Sequence, residues 1–265
     1  MVDLKKICNE VVTAVLETEK FILEESENFD ISRTEVKGLH DLVSYVDKGS
    51  EKMLVDKLSV IMPEAGFITE EGTSTKKGVR YCWVIDPLDG TTNFVHGLHP
   101  YGISVALTDN LEPVAGVVCD VGGNEIFKAW KNGGAWMNDI AIRVSGASRL
   151  ADSLVATGLP YNNFSLLEKY MKCLTHFCKT THGIRRLGSA SIDLAYVACG
   201  RFEAFYEYDL KIWDVAAGII ILREAGGRVS DFSGNEKNLG GNEIVAANTL
   251  VFPEFLENVS KFMQE

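Results

Sequence analysis

The stretch Trp83-Val84-Ile85-Asp86-Pro87-Leu88-Asp89-Gly90-Thr91-Thr92-Asn93-Phe94 decides how the rest of the chain is read. Its opening residues are apolar and suited to a strand, which is expected to deliver Asp86 at its end. Pro87 fixes its own φ and keeps Asp86 extended, and Asp89 follows three residues later across a tight turn. Both carboxylates can then converge on one point. Anionic oxygens gathered there repel one another unless a cation lies between them, and Mg²⁺ is the hard, oxygen-seeking candidate. Gly90-Thr91-Thr92 adds main-chain N–H groups and hydroxyls, which form a phosphate cradle if a helix or turn begins there. Asp89-Gly90 alone would read as a hairpin turn, but a hairpin needs neither Asp86-Pro87 nor the Thr-Thr pair.

The surrounding composition is compatible with that chemistry. The chain has 265 residues, 46% hydrophobic and 24% charged, enough apolar material for a sizeable core. It is expected to form one domain over residues 1–265, with possible subdomains 1–147 and 148–265. The net charge of −11 argues against binding nucleic acid, which needs a basic face, and against anionic membrane surfaces. An acidic protein acting on an anionic substrate needs cations between the two. The six cysteines form no Cys-x-x-Cys pair and mostly lie in apolar runs, so they read as buried, reduced thiols. The charged N-terminus and the absence of long apolar runs point to a cytoplasmic setting.

Periodicity predicts a helix over about the first 25 residues from Leu4, Ile7, Val11, Val15, Ile22 and Leu23. A second helix is expected from Ser50 to Ile61, stopped by Pro63. Strands follow at Tyr81–Ile85, Ile103–Leu107, Val114–Cys119 and Glu125–Trp130. The second half reads as a strand at 154–157, helices at 165–178 and 191–199, and a strand at 202–206. A helix at 213–225, strands at 228–230 and 244–247, and a helix at 255–263 complete it. The 165–178 helix places Leu166, Leu167, Tyr170, Met171 and Leu174 on one side. Without a βαβ rhythm, the expected class is α+β, with helices layered against mostly antiparallel or mixed sheets.

The twelve-residue string closely resembles a signature of the inositol monophosphatase family. The resemblance extends over residues 35–247 through Asp41-Leu42-Val43 with Asp47, Glu70-Glu71, Gly188-Ser189-Ala190, and Trp213-Asp214-Val215-Ala216-Ala217-Gly218 followed by Glu224-Ala225-Gly226-Gly227. It implies an α-β-α-β-α sandwich and a phosphatase using two or three Mg²⁺ ions. By that likeness Glu70, Asp86 and the Leu88 carbonyl would hold one ion, and Asp86, Asp89 and Asp214 a second. Thr91, held by Asp47, would work with Glu70 to orient and deprotonate the attacking water. Gly90 and Thr91 would donate N–H groups to phosphate, while Glu207 and Ala190 would meet the substrate. A myo-inositol monophosphate or related small polyol phosphate is the implied substrate, a homodimer the implied assembly, and lithium inhibition a further expectation.

Blander readings stand beside these. Asp214 could simply favour a helix N-terminus, and Glu207 could be a surface residue at a strand end. Glu71 reads as exposed or supporting, and Asp209 stands where many relatives carry a small residue. His96 and His99 lack further ligands at zinc spacing and read as loop residues. Arg185-Arg186 could steer phosphate or form surface pairs, Lys37-Gly38 could border the site as a mobile loop, and Trp130 and Trp136 read as core or interface. The functional alternatives are a fructose-1,6-bisphosphatase, a 3′-phosphoadenosine nucleotide phosphatase, or a non-catalytic protein-binding role.

Overall fold

Helices and strands stack in five alternating layers. The structure, a computed structural model, describes residues 2–29, 35–38, 41–237 and 239–264, without the side chains of 35–38 and 41–42. The side-chain readings at Lys37, Asp41 and Leu42 therefore lie outside the described residues. The chain begins with α1 (Leu4–Glu27), capped by the Asp3 carboxylate, which accepts from the Lys6 N–H at 3.0 Å. A short antiparallel ribbon, β1 (Glu35–Gly38) and β2 (Asp41–Val43), leads to α2 (Tyr45–Ile61). Ile7, Val11, Val15 and Ile22 of α1 are buried as the periodicity predicts, whereas Leu23 is exposed.

The larger sheet contains β3 (Gly66–Thr69), β4 (Tyr81–Asp89), β5 (Gly102–Asp109), β6 (Glu112–Asp120), β7 (Glu125–Trp130), β8 (Ala135–Met137) and β9 (Ile140–Ile142), in that spatial order. A short helix, α3 (Thr91–Val95), lies between β4 and β5. Only β3 and β4 run parallel; the other pairs are antiparallel. The second half supplies β10 (Leu154–Thr157), α4 (Leu167–Thr180), β11 (Gly183–Arg185), α5 (Ala190–Ala198), β12 (Ala204–Tyr208), α6 (Ile212–Glu224), β13 (Gly227–Ser230), β14 (Glu243–Asn248) and α7 (Phe252–Gln264). Its sheet has the order β11-β10-β12-β14-β13, with β10 parallel to both neighbours and the remaining pairs antiparallel.

The layers follow from which surfaces are apolar. Helices α1 and α2 cover the outer face of the larger sheet, α5 and α6 lie between the sheets, and α4 and α7 close the far side. Helix α6 is buried continuously from Val215 to Leu222 because it faces a sheet on each side. The expected α-β-α-β-α sandwich with mixed sheets is therefore the fold. No described helix is long and apolar enough to cross a membrane.

Several local expectations need correction. Helix α2 starts at Tyr45 rather than Ser50, because Ser44 and Asp47 form a capping box at its entry. Asp86 lies inside β4, which continues to Asp89 through an irregular register opposite β5. Helix α4 buries Tyr170, Cys173 and Phe177, leaving Met171 exposed, so its core face is rotated from the expected one. Cys178 lies exposed on that helix, while Cys82 and Cys199 are half-buried.

Candidate active site

The ends of β3 and β4 meet the starts of α3, α5 and α6 between the sheets. At the end of β4 the chain turns through Gly90, whose φ of 95° is costly for other residues, and enters α3. Asp86 Oδ1 accepts from the Leu88 N–H at 3.0 Å, which stabilises the turn. Thr91 donates its hydroxyl to Asp47 Oδ1 at 2.7 Å, and Thr91 Oγ1 also lies 3.0 Å from the Leu88 carbonyl oxygen. Asp47 is held in turn because its Oδ2 accepts from the Ser44 N–H at 2.8 Å and the Ser44 hydroxyl at 2.6 Å. One capping carboxylate thus ties the start of α2 to the start of α3.

The other acids arrive from separate elements. Glu70 directly follows β3, which lies beside β4. Asp214 sits in the first turn of α6, and its Oδ2 accepts from the Lys211 N–H at 2.6 Å. The helix-start reading is therefore correct, but it accounts for only one carboxylate oxygen. Asp89 Oδ2 accepts from the Ser189 hydroxyl and the Ser191 N–H, each at 2.7 Å, so the start of α5 fixes that carboxylate across the sheet interface.

Burial and mutual repulsion push Glu70 and Asp86 well above the usual carboxylate range; Asp214 repels Glu70, and Glu70, Asp89 and Asp214 repel Asp86. Burial, with repulsion from Asp89, pushes Asp214 up to about 7. Burial likewise raises Asp89, although hydrogen bonds from the Ser191 and Ser189 segment oppose it. Among the described residues no three His, Cys, Asp or Glu side chains already stand as a cation-ligating group. The donors nonetheless fit a hard cation: they are all oxygens, they repel one another, and Glu70 Oε2 is buried without a hydrogen-bond partner.

A cavity of about 410 Å³ opens beside this group. Glu70, Asp86, Leu88, Asp89, Gly90, Thr91, Ala190, Glu207 and Asp214 all border it, while Asp47 stands behind Thr91. Glu207 is buried at 5% exposure, which removes the surface reading. Its carboxylate lies directly over Gly158, where any Cβ would overlap it. Burial, aided by Asp214 and Asp89, raises Glu207 well above the ordinary range.

Several supporting residues escaped the sequence reading. Glu51 is fully buried on α2 and accepts from the Glu71 N–H, the Thr73 N–H and the Thr73 hydroxyl, each at 2.7 Å. It therefore anchors the turn that carries Glu70, and Glu71 belongs to that anchored turn. Asn93, quoted only as part of the motif, donates from Nδ2 to the Pro100 and Leu187 carbonyls at 2.7 and 2.8 Å. Ser189, quoted with its loop, positions Asp89. A buried acid amid apolar helical spacing was the available signal for Glu51; Gly158 offered none. Asp209 borders the cavity, with its Oδ2 accepting from the Asn163 N–H at 2.9 Å. His96 and His99 are exposed outside the cavity, and His99 stacks on Tyr101. Trp130 and Trp136 stack with centroids 6.4 Å apart, away from the site.

The chain as a whole is similar to known proteins. The profile described as "Inositol monophosphatase family" matches residues 2–264. An inositol-1-monophosphatase of Rhizobium meliloti is 38% identical over 260 residues, covering 98% of this chain and 95% of that protein. A putative Nus factor SuhB of Neisseria meningitidis serogroup B is 43% identical over 234 residues, covering 88% and 90%. Among solved structures, the extragenic suppressor protein SuhB of Bartonella henselae superposes with a TM-score of 0.89 at 36% identity, covering 96% of this chain and 98% of that one. The inositol monophosphatase of Anabaena superposes with a TM-score of 0.85 at 29% identity, covering 98% and 97%. The layers, the paired acidic strand ends and the full-length match together make this chain a member of the inositol monophosphatase family.

Proposed function

We propose that the protein is a Mg²⁺-dependent phosphomonoesterase that hydrolyses myo-inositol monophosphates and related polyol phosphates. The observation that carries the reading is the meeting of Glu70, Asp86, Asp89 and Asp214 beside the Gly90–Thr91 turn, with Glu70 Oε2 buried and unpartnered. Glu70, Asp86, Asp89, Asp214 and the Leu88 carbonyl would hold two or three Mg²⁺ ions. When bound, Mg²⁺ supplies Lewis acidity that offsets phosphoryl charge and makes water nucleophilic at neutral pH.

The chain's own groups do the positioning. Asp47 fixes the Thr91 hydroxyl, so that Thr91 and Glu70 orient the attacking water and Glu70 takes its proton. The Gly90 and Thr91 N–H groups donate to phosphoryl oxygens, since the first turn of a helix leaves N–H groups without intrahelical partners. Glu207 accepts hydrogen bonds from polyol hydroxyls, and the small Ala190 leaves room for the ring beside it.

A second reading comes from the relatives named Nus factor SuhB: a protein-binding role apart from catalysis. Phosphate release from inositol, fructose and adenosine phosphates, with Mg²⁺ or with a chelator, separates the two. Metal-dependent release greatest with an inositol monophosphate supports the leading reading. Greatest release from fructose 1,6-bisphosphate or a 3′-phosphoadenosine nucleotide reassigns the substrate, and no release from any leaves the binding role. By the same family likeness the protein is a cytoplasmic homodimer, which sedimentation of the purified chain checks for assembly.

A further inference from the structure

Asp209 has a φ of 68°, in the left-handed region that a residue with a side chain enters only at a cost. The other non-glycine residues with positive φ among the described residues are Asn110, Leu111, Asn124, Asn132, Asn138 and Asp139, each in a turn between consecutive strands of the larger sheet. Asp209 alone of these connects a strand to a helix, β12 to α6, and it alone borders the cavity. A glycine would make the same turn without steric cost. The turn by itself therefore does not require a carboxylate, and strain of this kind at a cavity points to a task for the side chain.

The carboxylate reaches across to the segment 158–166, which links β10 to α4. Its Oδ2 accepts from the Asn163 N–H at 2.9 Å, and its Oδ1 stands 3.8 Å from Lys211 Nζ. The Asp209 N–H donates to the Asn242 carbonyl at 2.9 Å, so the backbone beneath the carboxylate is fixed as well. Segment 158–166 brings Tyr161 and Asn162 to the cavity, where the Tyr161 hydroxyl accepts from Nη2 of Arg186, another bordering residue, at 3.1 Å. Leu159, Asn162, Asn163 and Phe164 are exposed, so burial does little to hold this stretch in place. Asn163 Oδ1 accepts from the Ser165 N–H at 3.1 Å and the Ser165 hydroxyl at 2.6 Å, which leads the chain into α4. The Asp209 tether thus grips the segment immediately after its two cavity residues. We infer that Asp209 is a positioning residue that sets specificity: it holds segment 158–166 so that Tyr161 and Asn162 present their polar groups to the alcohol part of the substrate. A polyol has hydroxyls to offer that wall, and an aryl ester has none. This deepens the phosphatase reading and rests on it.

The competing role for Asp209 is a charge partner of Lys211 with no part in recognition. Two substitutions that tolerate the left-handed backbone separate the roles. Asp209→Gly removes the carboxylate, whereas Asp209→Asn keeps a carbonyl oxygen for the Asn163 N–H and loses the charge facing Lys211. The measurement is kcat/KM in Mg²⁺ for an inositol monophosphate and for an aryl phosphate, in the unaltered protein and both variants. Asp209→Gly should lower the inositol-to-aryl ratio about 5- to 10-fold, mainly through KM for the inositol ester. Amide hydrogen exchange across residues 159–165 should quicken in the same variant, and Asp209→Asn should restore most of both. Faster exchange with an unchanged ratio overturns the inference, because the tether is then structural only. A ratio that falls equally in Asp209→Asn also overturns it, since the effect then runs through Lys211. Calorimetric Kd values for the two corresponding phosphonates, which water cannot cleave, give the ratio without turnover. An unaltered protein that hydrolyses neither ester overturns the phosphatase reading while the Kd ratio still decides the role of Asp209, and one that binds neither phosphonate overturns both.

Discussion

At the scale of single residues, the site is built from side chains whose two oxygens do different jobs. Asp47 uses one oxygen to cap α2 and the other to hold Thr91. Asp89 uses one for the Ser189–Ser191 loop, leaving the other free of that contact. Asp89→Asn keeps an acceptor for the loop but removes the charge proposed to hold Mg²⁺. It should preserve the circular dichroism spectrum while lowering phosphate release more than about 100-fold, given that supporting residues alone often cost 10- to 100-fold. Full turnover by the folded variant would exclude Asp89 from the mechanism. Glu51→Gln tests the turn behind Glu70, because an amide cannot accept at both of the positions where Glu51 now does. Urea titration should show a loss of about 2–3 kcal/mol, accompanied by weaker Mg²⁺ activation. A stability loss with unchanged Mg²⁺ dependence would make Glu51 a packing residue only.

At the scale of elements, the site depends on where helices and strands begin and end. Helix α2 was misread by five residues, although Ser44-x-x-Asp47 is the spacing of a capping box. Ser44→Ala should remove about 1 kcal/mol of stability, and differential scanning calorimetry should register a fall in Tm of roughly 2–4 °C. The same variant should lower turnover because Asp47 loses one of the two Ser44 contacts that orient it toward Thr91, keeping only the main-chain N–H. Normal turnover would separate the cap from the site. Helix α6 and the buried strands were legible because their apolar runs are long. Strands β8, β9 and β11, each three residues long, were not. A span that short carries too little alternation to stand apart from a loop, and its pairing partners fix it.

At the scale of the whole molecule, folding brings four acids from the ends of β3 and β4 and the start of α6 into one region of low dielectric, a conflict that a divalent cation would relieve. Adding Mg²⁺ should therefore stabilise the protein by mass action, by about 2.7 kcal/mol at one hundred times its Kd, and a chelator should reverse the gain. Thermal melts with and without Mg²⁺ measure this directly, and coincident melts would count against a metal site. The sequence by itself determined the family and its layered fold, together with the acids grouped in recognisable strings, because residues 83–94 and 213–218 hold their chemistry at short spacing. Only the tertiary structure decided that Glu51 supports Glu70, that Gly158 makes room for Glu207, and that Arg186 faces the cavity. Those relations join residues 19, 49 and 25 positions apart or more, and local propensity carries no information about which distant groups packing will bring together.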